Sequence, residues 1–252
     1  MRLIQSCLLL LSVSSCRLVF AQITPPSPFQ QPAALAFSPG GTFPSSIALS
    51  GNATWVAGSQ TDSGTVSLLA AANGATSENW SFSTVSHSFT QGPTNFSDFS
   101  RSCSYTDAKG HQRSITGPNC IQGLPWFFPS FVLQPSYAAV LAVSDQTGEA
   151  EAAQGLEKLT YSLALPPSSS GDALTLLQKA TNFTLYYDTK TALPKRLEFK
   201  QATDQDDAAS VDIAVTFDDY RNEGGFMVPH HIARYMQRTL VLDFVVSNVT
   251  VQ

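Results

Sequence analysis

The chain is short of charge and of recognisable chemistry. Asp, Glu, Lys and Arg make up 13% of its 252 residues, and it has only four histidines and three methionines. It has no G-x-S-x-G nucleophile elbow, no H-E-x-x-H, no C-x-x-C, no P-loop and no G-x-G-x-x-G. The common motif-borne routes to hydrolysis, zinc chemistry, thiol redox and nucleotide binding are therefore missing. The expectation is a protein that is not an enzyme and needs no cofactor or metal. His87, His111, His230 and His231 do not alter this. Adjacent residues on a strand point to opposite faces, so His230 and His231 cannot easily share one ion. All four read as surface or edge histidines.

Long apolar runs are also scarce. The best is Leu3 to Leu11, which follows Met1-Arg2. It is too short to cross a bilayer, which takes about 20 apolar residues. It fits the apolar region of a secretory leader, and Val19-Phe20-Ala21 fits its cleavage site. A cut after Ala21 is expected, with the mature chain beginning at Gln22 and exported to the periplasm or medium. A second reading competes: Val13-Ser14-Ser15-Cys16 resembles a lipobox, which would leave a lipidated Cys16 at the N-terminus and anchor the chain to the envelope.

Positive charge is thin and dispersed. With Arg2 and Arg17 in the leader, 12 basic residues face 19 acidic ones in the mature chain, a formal charge of −7. Phosphate backbones need clustered Lys and Arg, so nucleic acid is not an expected partner. Of four cysteines, only Cys103 and Cys120 lie beyond the leader. In an exported chain they read as one disulfide, worth roughly 3 kcal/mol for a loop of this length.

What the chain does contain is strand after strand. Gln22 to Pro44 is Pro-rich and uncharged, and reads as an extended linker with no core of its own. From residue 46 to residue 252 the pattern is a single antiparallel β domain. Strands are expected at Ala53–Ala57 and Thr65–Ala71 around a turn at Gln60–Gly64. A third starts at Trp80 and reaches towards Phe89. Ser102–Thr106 and His111–Thr116 flank a turn at Asp107–Gly110. Further strands fall at Tyr137–Val143 and Gly155–Leu165, with a short helix capped by Asp172. In the last third, Val211, Ile213, Val215 and Phe217 share one face and polar residues the other, as in a half-buried sheet. About ten strands with one or two short helices make a mainly β fold: a curved antiparallel sheet or incomplete barrel, with the helices packed in its concave side.

Two acidic groupings read as structural. Asp204-Gln205-Asp206-Asp207 lacks the glycine and distal glutamate of a calcium loop. Asp218 and Asp219 diverge as neighbours on one strand and read as a hydrogen-bonded strand end. The sequons at Asn52, Asn79, Asn95, Asn182 and Asn248 would carry glycans only in a eukaryotic secretory pathway. One stretch invites a functional reading. Leu124 to Leu133 is the most apolar and aromatic part of the mature chain, and Pro129 keeps it from being a central strand. Trp126, Phe127, Phe128 and Phe131 either pack as plain core or line and plug an apolar cavity within the curved sheet.

The C-terminal third resembles a known family. Leu185-Tyr186-Tyr187-Asp188-Thr189-Lys190-Thr191-Ala192-Leu193-Pro194 is similar to the L-x-x-D-x-x-T-x-x-P hairpin of the periplasmic outer-membrane lipoprotein-carrier (Lol-type) superfamily. Val215 to Arg221, then Gly224-Gly225 and Val228-Pro229, looks like the next hairpin of that group. Trp126-Phe127-Phe128-Pro129 more narrowly resembles uncharacterised bacterial secreted proteins with the same C-terminal pattern. The resemblance implies an incomplete barrel closed by short helices around a cavity for acyl chains, and hence a lipid or other apolar ligand. The alternative function is a structural or adhesion module of the envelope with no cavity. Oligomeric state is not legible.

Overall fold

A computed structural model describes residues 29–95, 101–115, 120, 125–164, 178, 181–202 and 210–252. The expected leader with Cys16, the start of the Pro-rich segment, Leu124, the cap at Asp172 and the acidic run Asp204–Asp207 lie outside the described residues.

Six strands come first: β1 (Ser46–Ala57), β2 (Gln60–Ala71), β3 (Thr76–Ser81), β4 (Ser86–Gln91), β5 (Cys103–Thr106) and β6 (Gln112–Ile115). Seven follow: β7 (Leu141–Asp145), β8 (Leu156–Leu163), β9 (Phe183–Asp188), β10 (Pro194–Ala202), β11 (Ser210–Glu223), β12 (Phe226–Met236) and β13 (Thr239–Val251). They form one antiparallel sheet of 13 strands in the order β6-β5-β4-β3-β2-β1-β13-β12-β11-β10-β9-β8-β7. Each half is a meander. The halves join where β1 pairs with β13, from Ile47 opposite Val251 to Trp55 opposite Leu242. Gly51 marks a register shift in that pairing, and a Cβ there would run into the Val245 carbonyl. The sheet does not close, since β6 and β7 are its two edges.

That order dictates what the segment between β6 and β7 must do. It leaves one edge of the sheet and arrives at the other, so it has to cross a face. The crossing carries the aromatic run, a 3₁₀ turn at Pro129–Leu133 and a short helix α2 (Pro135–Ala138). Phe127, Phe128, Phe131 and Tyr137 are almost completely buried in the resulting core. The sheet's inner face supplies the other side of that core: Leu49, Val66 and Leu68 from one half, and Leu185, Leu197, Ile213, Val215, Phe217, Ile232 and Phe244 from the other. Each such side chain contributes about 1.5–3 kcal/mol when buried. The alternation expected over Val211–Phe217 is observed, with Ile213, Val215 and Phe217 buried and Val211 partly so. A further short helix, α3 (Glu149–Ala153), sits outside, before β8.

Several local expectations are corrected. Part of the Pro-rich stretch is helical: α1 (Gln30–Phe37) buries Ala33 and Phe37, four residues apart on one side. Pro32 does not prevent it, because first-turn N–H groups lack intrahelical partners anyway. The Phe37 ring meets Phe43, Phe128 and Phe226, so this segment adds to the sheet's core instead of standing clear of it. The first hairpin turns at Gly58-Ser59 and not at Gln60–Gly64. Gly58 takes a left-handed φ of +62°, and the residues expected to turn are already paired in β2. The stretch Trp80–Phe89 is two strands, split where the Phe82 N–H bonds the Val85 carbonyl and Asp62 accepts from Ser83 and Thr84. Tyr137 belongs to α2, so the strand begins at Leu141. His230 is buried, not at a surface or edge. It bonds Glu223 at 3.0 Å and the Val246 carbonyl at 3.3 Å. His231 points the other way, to Asp243 at 2.6 Å. Asp218 and Asp219 do diverge: Asp218 pairs with Lys195, while Asp219 takes a left-handed φ of 52° and pairs with Arg221.

Candidate functional site: a cavity on the inner face

Where α1 and the crossing segment do not fill the inner face, a cavity of about 670 Å³ remains. Its walls come from both halves of the sheet. Trp55 and Val56 stand on β1, Trp80 on β3, Phe89 on β4 and Tyr105 on β5. Phe183, Leu197, Phe199 and Met236 face them from β9, β10 and β12. Trp126 reaches in from the crossing segment. All three tryptophans of the chain line this one space. A cavity of this size, walled by aromatic and aliphatic groups with a few polar ones, suits a small or single-chain apolar molecule.

Polar groups from both halves of the sheet join this wall. Glu78 lies between Thr76 and Trp80 on the inward-facing alternation of β3. Its carboxylate accepts hydrogen bonds from Trp126 Nε1 at 2.7 Å and Trp80 Nε1 at 3.4 Å. Burial nevertheless raises its pKa, and the nearby Arg234 charge and the two indoles only partly offset this. Arg234 continues the inward series Val228, His230, Ile232 along β12, at a register shift against β13. Its Nη2 donates to Gln201 Oε1 at 2.6 Å, and its guanidinium carbon stands 4.8 Å from the centre of the Trp126 ring. Burial pulls its pKa down, and Glu78 pushes it back up.

Strand pairing builds a second feature, a ladder of rings. Trp80 opposes His87 across β3 and β4, and the two rings stack at 5.1 Å. His87 stacks in turn on Tyr105 of β5 at 5.4 Å, and Arg113 of β6 lies 4.9 Å from the Tyr105 ring centre. Burial first, then the Arg234 charge, lowers the His87 pKa, which keeps the ring neutral at physiological pH.

Of the residues singled out from sequence, Trp126 lines the cavity. Phe127, Phe128 and Phe131 lie behind it in the core, at 0%, 1% and 0% exposure, and do not reach the cavity wall. Cys103 and Cys120 form the disulfide, with an S–S distance of 2.01 Å and Cα atoms 5.6 Å apart. It fastens the start of β5 to the crossing segment, six residues before Trp126. Among the described residues, no group of three His, Cys, Asp or Glu is placed to hold a metal. None of their helices is long and apolar enough to cross a membrane. Sequence reasoning missed Glu78, His87 and Arg234. For Glu78 and Arg234 the signal was phase: each shares its step of the strand with a core residue, Trp80 and Ile232 respectively.

No family model matches the sequence, and no curated protein matches it. Solved structures do. A putative outer membrane lipoprotein-sorting protein domain from Vibrio parahaemolyticus superposes with a TM-score of 0.55 at 13% identity, covering 89% of this chain and 91% of that one. A DUF1329 family protein from Desulfovibrio piger superposes at 0.53 and 8% identity, covering 89% and 92%. The fold is therefore of the Lol type.

Proposed function

We propose that this chain, with its Lol-type fold, is a non-enzymatic protein that holds a lipid or other apolar ligand in the cavity between the two halves of its sheet. The observation that carries the reading is the cavity itself. A cleft of about 670 Å³, partly open to solvent, indents the inner face of the sheet with three tryptophans around it. An acyl chain is the ligand shape that suits a space walled by rings and aliphatic groups. Trp126 makes the contact, and the Phe127 ring packs edge-on against it from the core.

Export to the periplasm or medium, free or anchored through Cys16, belongs to the same reading. The disulfide supports it, because such bonds persist in oxidising compartments. The chemistry-poor sequence supports a binding role over catalysis.

One observation favours the alternative, a structural or adhesion module of the envelope. Three of the four aromatics singled out from sequence are plain core. The two readings separate by native mass spectrometry of the protein purified from its own cell-envelope fraction. A lipid-sized adduct removed by organic extraction is expected. Bare polypeptide, with no adduct under conditions that preserve the fold, would favour the structural module. Extra covalent mass on a chain starting at Cys16 would establish the anchor.

A further inference from the structure

The cavity's polar groups are not symmetric in what they leave unsatisfied. Both Glu78 oxygens accept from indoles, and one Arg234 nitrogen donates to Gln201. Arg234 Nε and His87 Nδ1 are buried and have no hydrogen-bond partner among the described residues. Such atoms cost free energy unless something pairs with them. Both side chains line the same cavity, close enough that the Arg234 charge acts on His87. Arg234 Nε–H is a donor, and a neutral His87 becomes one as its Nδ1–H tautomer.

Charge points the same way. The whole chain carries −5, yet the cavity wall holds Arg113 and Arg234 against the single carboxyl of Glu78, and no lysine. The apolar rings of the cavity wall and these unpaired donors together describe an amphiphile with an acceptor head.

We infer that the cavity selects a long-chain carboxylate, with its head group on Arg234 Nε and His87 Nδ1 and its chain along the walls of Trp55, Trp126 and Phe199. This rests on the proposed apolar-ligand function and adds the class of head group. Arg234 and His87 are then the residues that set specificity, and the aromatic walls supply affinity common to any acyl chain.

The test compares dibromostearate with its methyl ester, which keeps the chain and removes the charge. Binding of each is read from quenching of the cavity tryptophans at neutral pH, in the wild-type protein and in Arg234→Gln. The carboxylate is expected to bind about tenfold or more tighter than the ester, as a charge-assisted hydrogen bond provides. In Arg234→Gln that preference, read as the ratio of acid to ester affinity, should disappear. His87→Phe retains the ring stack and should weaken the preference in part, which keeps the test decisive if circular dichroism shows Arg234→Gln unfolded. Equal binding of acid and ester by wild type would overturn the head-group assignment alone, as would a preference that survives in the variants. Binding of neither molecule would sink the apolar-ligand reading itself.

Discussion

The indole N–H of Trp126 donates to Glu78 Oε1 at 2.7 Å, joining residues 48 positions apart. The bond docks the crossing segment onto β3, so the same contact that closes the core sets one wall of the cavity. Trp126→Phe should retain most of the ring packing but leave a buried carboxylate short of a donor. A loss of about 1–3 kcal/mol is expected, read from urea unfolding. An unchanged midpoint would show that the indole N–H does not hold this joint.

Phe128 sits deeper, 1% exposed and edge-on to both Phe37 and Phe131. Phe128→Ala should cost about 3–5 kcal/mol, because little around it can collapse into the space. Since Phe128 does not line the cavity, ligand affinity at a temperature where the variant stays folded should change little. A large loss of affinity with little loss of stability would move Phe128 from the core to the binding site.

Much of the fold was legible in the sequence, and the reason is periodicity. Ile213, Val215 and Phe217 alternate with polar neighbours because one face of β11 is buried and the other is wet. The Asp107–Gly110 turn was legible because Asp107 accepts from the Lys109 and His111 backbone, a short-range pattern. The helix at Gln30–Phe37 was not. By local rule Pro28, Pro32, Pro39, Gly40 and Gly41 in and beside it argue against a helix, and the distant partners Phe128 and Phe226 make it worth forming. The candidate site was half legible for the same reason. Trp126 announced itself by composition. Arg234 and Glu78 look like ordinary strand polars until long-range pairing shows which face they occupy.

The disulfide between Cys103 and Cys120 is a further test. Reduction, or Cys103→Ser with Cys120→Ser, should lower stability by roughly 3 kcal/mol in the chain-entropy model. Because the bond restrains the segment that carries Trp126, the emission of Trp126 should shift towards that of a wetter indole. Loss of stability without any spectral change would confine the bond's role to the β5 edge.

Glu78 predicts a pH dependence of defined sign. Burial raises its pKa in the folded state above the usual 4.5, so the folded protein binds this proton more tightly than the unfolded chain does. The Glu78 contribution is therefore most favourable at low pH and is lost as pH rises through the folded-state pKa. Asp62, Asp107 and Asp188 have the opposite sign, since hydrogen bonds lower their pKa values and their contributions are lost on acidification. Glu78→Gln isolates the effect. The stability of wild type minus that of the variant should fall as pH is raised from about 4.5 towards neutrality. A difference that is flat or rises would mean that the two indoles and Arg234 hold Glu78 as a carboxylate at no cost.

The most direct measurement of the central claim uses the placement of the tryptophans. Trp55, Trp80 and Trp126 all line the cavity, so a heavy-atom-labelled acyl chain bound there must come within contact range of the protein's entire indole emission. Titration of the folded protein with a bromine-labelled acyl chain, held below its aggregation threshold, should quench that emission deeply and saturably. An unlabelled acyl chain should reverse it by competition. Weak, linear quenching that unlabelled chain does not reverse would mean that the cavity holds no acyl ligand, and the Lol-type fold here would be serving as scaffold alone.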